Sequence, residues 1–125
     1  VVNLVSSPPG NIRTVAGTGV ANSTGNGGPA AVATFRRPWG LAYDGANNLY
    51  VTDFESHNVR RIDPMGIITP VAGAQGCSSC ALGFAGDGAA ARDSTMANPA
   101  GIAVAPNGAV YVGDTVNERV RAIGP

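Results

Sequence analysis

An internal repeat constrains the fold more than any other feature of the sequence. Shifting the chain by 61 residues places residues 38–64 on residues 99–125 with ten identical residues among 27. The identical pairs are Pro38 and Pro99, Gly40 and Gly101, Ala42 and Ala103, Tyr50 and Tyr111, Val51 and Val112, Asp53 and Asp114, Val59 and Val120, Arg60 and Arg121, Ile62 and Ile123, and Pro64 and Pro125. Two copies of one structural unit therefore make up much of the chain.

Each unit is predicted to be an antiparallel sheet. Four short runs rich in β-branched, aromatic or aliphatic residues lie within residues 38–73, and turn residues separate them. These runs are Gly40–Tyr43, Leu49–Asp53, Asn58–Asp63 and Ile67–Ala72. The fold class is therefore predicted as all-β, and a repeated four-stranded unit of this length is typical of a β-propeller blade.

The fourth run also recurs upstream, with a different offset. A shift of 56 places Gly10, Ile12, Val15, Ala16 and Gly17 on Gly66, Ile68, Val71, Ala72 and Gly73. The offsets differ by a five-residue insertion after Gly73. The predicted organisation is an outer strand region of a preceding or neighbouring blade (1–17), a connecting loop (18–37), a first blade (38–73), a second connecting loop (74–98) and a second blade that lacks its outer strand (99–125).

The motifs of the first blade resemble the NHL repeat of β-propellers. They are Pro-x-Gly-Leu-Ala from Pro38, Asn-Leu-Tyr-Val-Thr-Asp from Asn48, His-Asn-Val-Arg-Arg-Ile-Asp from His57 and Gly-x-Ile-x-x-Val-Ala-Gly from Gly66. The segment Gly-Phe-Ala-Gly-Asp-Gly-Ala-Ala-Ala at 83–91 is similar to the longer loops of bacterial and teneurin-type NHL propellers. The resemblance implies a ring of about six blades, of which two would be a third.

A pair of blades is expected to need partners, because a blade cannot cover both of its own apolar faces. The expected partners are copies of the same chain or further blades of the same polypeptide. The segment expected to be donated to the incomplete blade of a neighbour consists of Asn11, Ile12, Arg13, Thr14, Val15 and Ala16. Residues 1–5 and 119–124 both have the pattern of a third strand, so two chains joined in this way would offer two segments for one position.

Charge and hydropathy exclude several classes of partner. Eight arginines balance eight acidic residues, and lysine is absent. This balance argues against binding to nucleic acid or to an anionic membrane surface. No apolar run approaches the ~18 residues of a membrane-spanning helix. Neither an initiator Met nor a signal peptide is present, so the chain is expected to come from a larger or processed product.

Cys77 and Cys80 form the sharpest local motif, Cys-Ser-Ser-Cys. A disulfide is favoured over free thiols, a redox pair or half of a zinc site, because the pair lies in a Gly/Ala/Ser-rich loop and His57 is the only further strong ligand. A disulfide implies an oxidising compartment, so an extracellular location is expected. Asn22 begins an Asn-Ser-Thr sequon and is a candidate for N-glycosylation.

The remaining polar residues are interpreted as structural. His57 is expected to serve as a hydrogen-bonding group. Asp53 and Asp114 are expected to cap their own turns, and Arg60 and Arg121 to cover the sheet with solvated or Asp-paired heads. No residue is predicted to be catalytic, to bind metal or to hold a cofactor.

The sequence therefore predicts a non-catalytic, extracellular scaffold that assembles by blade completion into a ring or a fibre. Two alternatives stay open. One is a third of a six-bladed lyase or hydrolase with its active residues in other blades. The other is part of a ligand-binding sensor domain, like NHL modules of cell-surface receptors.

Overall fold

The computed structural model describes residues 9–73 and 83–125. Seven strands dominate this part of the chain, and its only helices are two three-residue 3-10 turns, Ala30–Val32 and Ala91–Asp93. The strands are β1 (Pro38–Tyr43), β2 (Leu49–Asp53), β3 (Asn58–Ile62), β4 (Ile68–Gly73), β5 (Pro99–Val104), β6 (Val110–Asp114) and β7 (Arg119–Ile123). The all-β prediction is confirmed.

The first sheet is a meander in the order β1-β2-β3-β4, with every neighbouring pair antiparallel. Aspartates close two of its turns. Asp44 Oδ1 accepts hydrogen bonds from the backbone N–H groups of Ala46 and Asn48, both at 2.9 Å. Asp63 Oδ1 accepts from Met65 and Ile67 at 2.9 and 3.0 Å. A short side chain that binds its own turn fixes the path between strands.

The second sheet repeats the first in the order β5-β6-β7. Leu41 pairs with Val51 in the first sheet, and Ile102 pairs with Val112 at the corresponding place in the second. Both sheets carry the same register shift near the start of the first strand, before Leu41 and before Ile102. The sequence repeat therefore corresponds to two sheets whose strands pair in the same register.

The two sheets pack face to face through a shared apolar core. Tyr50, Val59 and Ala72 of the first sheet form one cluster with Val110 and Val112 of the second. Met96, in the connecting loop, is buried in the same cluster. Met96 therefore fills the space between the blades.

A glycine permits close approach of the two innermost strands. A Cβ added at Gly40 would clash with the carbonyl oxygen of Ala100 and lie 3.0 Å from a methyl carbon of Ile102. Thr52 Oγ1 accepts from the Gly40 N–H at 2.8 Å and donates to the Ala100 carbonyl at 2.7 Å. This hydroxyl joins β1, β2 and β5.

The opposite side of the first sheet carries a second apolar cluster. Leu49, Val51, Ile62 and Ile68 pack there with Ala30 and Ala33 of the loop before β1, and Ala16 and Phe35 lie against them. Because residues 49, 51 and 62 correspond to 110, 112 and 123, the two blades present the same face in the same direction. The pair is therefore arranged head to tail.

The segment Asn11–Ala16 runs beside this cluster without regular secondary structure. The Gly17 N–H donates to the Ala30 carbonyl at 3.0 Å, which ties the end of the segment to the loop. Cys77 and Cys80 and the apolar residues before Pro8 lie outside the described residues.

Candidate functional site: two open faces of the blade pair

A buried arginine holds each connecting loop against its blade. Arg60 is fully buried, and its guanidinium donates to Asn26 Oδ1 at 2.9 Å and to the carbonyls of Thr34 and Thr24, both at 2.7 Å. Its guanidinium carbon lies 4.9 Å from the centre of the Phe35 ring. Burial lowers the pKa of Arg60, and the nearby carboxylate of Asp53 opposes that shift.

Arg121 repeats this arrangement one period later. It donates to the carbonyls of Ala85 and Thr95 and forms ion pairs with Asp87 at 3.0 Å and Asp114 at 3.3 Å. The expected pairing with Asp is thus found for Arg121, whereas Arg60 binds mainly carbonyl oxygens. Neither arginine has a solvated head. The two arginines and the two loops that they bind recur with the same 61-residue spacing. This shared spacing is the sequence signal that could have indicated that each arginine binds its loop.

The carboxylates at the ends of β2 and β6 bind backbone N–H groups of the entering loop. Asp53 accepts from the backbone N–H groups of Arg36 at 2.9 Å and Arg37 at 2.8 Å. Asp114 accepts from the Ala97 N–H at 2.7 Å. The structural interpretation of these carboxylates is therefore right. Asp114 also binds its own turn as expected, since its Oδ2 accepts from the Asn117 side chain at 2.8 Å. The sequence did not predict that both carboxylates bind a loop that lies far away in sequence.

His57 joins the first blade to the entry of the second. Its Nδ1 accepts a hydrogen bond from the backbone N–H of Asn98 at 3.1 Å, and its backbone has a positive φ of 58°. Burial is the largest influence on the imidazole and lowers its pKa, against the raising effect of nearby Asp53. In the neutral imidazole, an unprotonated Nδ1 can accept this hydrogen bond. His57 is therefore a structural group.

Asn22, the candidate glycosylation site, lies in the loop before β1. Its side-chain oxygen accepts from the Ser23 N–H at 2.9 Å, and the Thr24 hydroxyl lies 2.7 Å from that of Thr34. Asn22 is half-buried. Modification of Asn22 stays a prediction.

No group of three or more His, Cys, Asp or Glu side chains with the spacing of a metal site occurs in residues 9–73 and 83–125. Over the same ranges no helix is long and apolar enough to cross a membrane.

One aromatic pair, formed by exposed Trp39 and half-buried Phe54, is not part of the repeat. Trp39 stacks on Phe54 with ring centres 4.6 Å apart, and the residues one period later are Ala100 and Thr115.

The outer face of the second blade, here called the trailing face, consists of Tyr111 and Val120. Their counterparts in the first blade are buried between the sheets: Tyr50 is 9% exposed and Val59 is fully buried. In the trailing face, Tyr111 is 45% exposed and Val120 is 76% exposed. The same residue types are therefore covered inside the pair and open at its end.

The outer face of the first blade, here called the leading face, consists of Leu41 and Tyr43 above Leu49, Val51 and Ile62. Leu41 is 64% exposed and Tyr43 is 55% exposed. A largely apolar cavity of about 600 Å³ opens between these residues and the segment around Val15. In the second blade the equivalent face is the one that packs on the first blade. The two open faces are thus the two halves of the junction seen inside the chain.

Comparison with protein families agrees with this repeat geometry. The NHL repeat model matches residues 35–62 and 96–123, which span β1–β3 and β5–β7 together with Phe35 and Met96. The chain contains two NHL repeats. The resemblance seen in the sequence is confirmed, and each NHL repeat corresponds to one blade of a β-propeller.

Other proteins share these NHL repeats over short stretches. The chain is 35% identical to teneurin-1 of Mus musculus and of Homo sapiens over 83 residues, which is 60% of this chain and 3% of each relative. It is 30% identical over 101 residues to Protein SUPPRESSOR OF QUENCHING 1, chloroplastic, of Arabidopsis thaliana, covering 78% of this chain and 9% of the relative. The chain therefore spans less than a tenth of these relatives.

Solved structures share the fold of the two NHL repeats. A structural genomics protein of unknown function from Bacteroides thetaiotaomicron superimposes with a TM-score of 0.70 at 20% identity, over 86% of this chain and 26% of that one. An auxiliary nutrient binding protein of the same organism superimposes with a TM-score of 0.66 at 23% identity, over 88% of this chain and 28% of that one. At these identities the likeness concerns the fold.

Proposed function

We propose that the protein is a non-catalytic scaffold module that assembles head to tail through its leading and trailing faces. The observation that carries the proposal is the pair Val59 and Val120. Val59 is fully buried at the internal junction, whereas Val120 is 76% exposed at the equivalent place on the trailing face. A further blade placed on the trailing face would repeat the internal junction.

Energetics favour covering these faces. Full burial of a valine, leucine or similar side chain contributes about 1.5–3 kcal/mol. Leu41, Tyr43, Tyr111 and Val120 together thus offer a substantial driving force for association, reduced by the cost of lost rotational and translational freedom. The partner is a second copy of the chain or a further blade of a longer polypeptide.

Two assemblies fit the head-to-tail contact. If the rotation between successive blades closes after about six, three copies make a ring. If it does not close, the same contact extends into a fibre, because the two joined surfaces differ.

A non-catalytic role is supported by the structural hydrogen bonds that the polar side chains make. Asp53, Asp114 and His57 are used to hold backbone N–H groups of the loops. The enzyme and sensor alternatives place the functional groups in other blades.

Extracellular placement belongs to the proposal. It rests on the Cys77–Cys80 disulfide and the Asn22 sequon expected from the sequence, together with the similarity to teneurin-1. The Arabidopsis relative carries the word chloroplastic in its name, so the repeat alone does not set the location.

The test is substitution V120D, which places a charge in the centre of the trailing face. Val120 is exposed in the single chain, so the monomer should keep its fold, as circular dichroism would show. Burying an unpaired carboxylate is strongly unfavourable. We expect self-association measured by sedimentation velocity to weaken by ~100-fold or more, and particles seen by electron microscopy to disappear.

Met65→Asp is the matched control, because Met65 is 62% exposed and belongs to neither face. It should assemble like the unmodified chain. A wild-type chain that stays monomeric at high concentration would refute assembly between copies of the chain. V120D particles equal to those of M65D would refute the role of the trailing face.

A further inference from the structure

In the first blade, β4 lies in a slot between the edge of β3 and the loop before β1. The loop before β1 receives β4 through three backbone hydrogen bonds. The Gly27 N–H donates to the Ile68 carbonyl at 2.7 Å, and the Ile68 N–H donates to the Gly28 carbonyl at 3.0 Å. The Ala30 N–H donates to the Gly66 carbonyl at 2.7 Å. The edge of β3 and this loop together hold the fourth strand.

The second blade has the same slot without a described strand in it. The groups that correspond to those of Gly27, Gly28 and Ala30 belong to Gly88, Ala89 and Ala91. Within residues 9–73 and 83–125, no strand pairs with the outer edge of β7. A cavity of about 220 Å³ lies here, lined by residues that include Ala72, Gly88, Ala91, Met96, Arg121 and Ile123.

The segment Gly10–Gly17 has the sequence and the end geometry of the strand that fits this slot. Gly10 has a φ of 81° and its counterpart Gly66 has 83°, while Gly17 has 93° and Gly73 has 78°. Ile12 is 98% exposed, although its counterpart Ile68 is fully buried. Burial of this isoleucine favours strand addition, because the hydrophobic effect grows with the apolar area removed from water.

We propose that residues Gly10–Gly17 of a second copy add to β7 as the fourth strand of the second blade, in one defined register. The pairing of β3 with β4 sets that register. Transferred by the two repeat offsets, it places Gly17 opposite Arg119, Ala16 opposite Val120, Thr14 opposite Arg121, Arg13 opposite Ala122 and Ile12 opposite Ile123. Ile12 then enters the cavity beside Ile123 and Met96.

Three loop contacts accompany the strand. By the same correspondence, the Gly88 N–H donates to the Ile12 carbonyl and the Ile12 N–H donates to the Ala89 carbonyl. The Ala91 N–H donates to the Gly10 carbonyl. Strand addition of this kind derives its affinity from main-chain hydrogen bonds and its specificity from pockets for alternate side chains.

The chain path requires a second copy. Gly17 is bonded to Ala30, in the loop that covers the first blade, and Ala16 packs on the leading face. The segment therefore stands at the leading face, whereas the slot lies in the second blade beside the trailing face. When the trailing face of one copy meets the leading face of the next, the segment of that next copy reaches the slot. The inference thus rests on the proposed function and names the contact that completes it.

The experiment is disulfide trapping between two differently substituted chains, each carrying Cys77→Ser and Cys80→Ser. One chain has Ala16→Cys, and the other has Val120→Cys or, as the off-register control, Ala122→Cys. After mixing and mild oxidation, mass spectrometry should find at least ~10-fold more of the Ala16→Cys–Val120→Cys cross-link than of the control cross-link. Equal yields of the two would overturn the proposed register.

Two further variants separate this inference from the proposed function. Adding I12D to the Ala16→Cys chain should abolish the cross-link, while adding M65D should leave it unchanged. Particles that persist without any in-register cross-link would overturn the strand assignment and leave head-to-tail assembly intact. Absence of both particles and cross-link would overturn both. A cross-link found only within a chain carrying both cysteines would overturn the exchange between copies.

Discussion

At the scale of single residues, the repeated arginines are the main link between loop and sheet. Arg60 and Arg121 sit at the same position of β3 and β7, and each binds two loop carbonyls. Hydrogen bonds to a buried charge contribute more than neutral ones, and loss of the donor leaves buried acceptors unpaired.

We expect Arg60→Met to lower the free energy of unfolding by about 3–5 kcal/mol, since it removes donors to Asn26, Thr34 and Thr24 while filling a similar volume. Arg61→Met is the matched control, because Arg61 is only half-buried, and it should cost less than about 1 kcal/mol. Urea unfolding would measure both. Equal losses would show that the loop contacts of Arg60 contribute nothing specific.

His57 gives the fold a pH dependence whose sign is fixed by its environment. Burial lowers its pKa below the ordinary value of 6.5; the carboxylates of Asp53, Glu55 and Asp114 raise it, and Arg36 lowers it. The unfolded chain therefore takes up a proton first as pH falls. The stability due to neutral His57 is complete above about pH 6.5 and is lost as pH falls through that value toward the folded pKa.

The substitution His57→Asn isolates this effect, because Asn tolerates the positive φ of 58° and keeps an acceptor. Melting temperature should fall between about pH 7.5 and about pH 5.5 in the unmodified chain and change less in the variant. Parallel pH profiles in the two proteins would contradict a lowered pKa at His57.

At the scale of elements, glycine sets where β4 ends. Gly73 has a φ of 78°, and a Cβ there would clash with the His57 carbonyl oxygen and lie 2.9 Å from the Asn58 Cα. Gly73→Ala should therefore cost about 2 kcal/mol or more in unfolding free energy. Gly45→Ala, where no atom lies within 4 Å of the added Cβ, should stay within about 1 kcal/mol of the parent in either direction. Chemical denaturation of the two variants in parallel tests the contrast, which an equal effect would disprove.

The strands were predictable from the sequence because their signals are local. The β-branched, aromatic and aliphatic residues of Leu49–Asp53 and the aspartates that close the turns are signals that depend on neighbouring residues only, and the observed strands lie within two residues of the predicted runs. The roles of Asp53 and Arg60 could not be predicted in the same way. Their partners lie 16–17 and 26–36 residues away, so only the folded path of the loop brings them together.

The candidate faces were predictable in kind but not in detail. A repeated unit with two apolar faces implies that each face needs a covering surface, and the sequence alone supports that conclusion. Which residues are open depends on the direction in which the blades stack. The burial of Val59 and the exposure of Val120 show that direction in the folded chain.

At the scale of the whole molecule, the leading and trailing faces differ from each other. An assembly built from them has a polarity, with one kind of end always presenting Leu41 and the other always presenting Val120. A copy with a disrupted trailing face can still bind the assembly through its leading face. No further copy can then bind to its trailing face. If the proposed assembly is a fibre, a small admixture of such copies would shorten the filaments, and the length distribution would reveal the direction of growth.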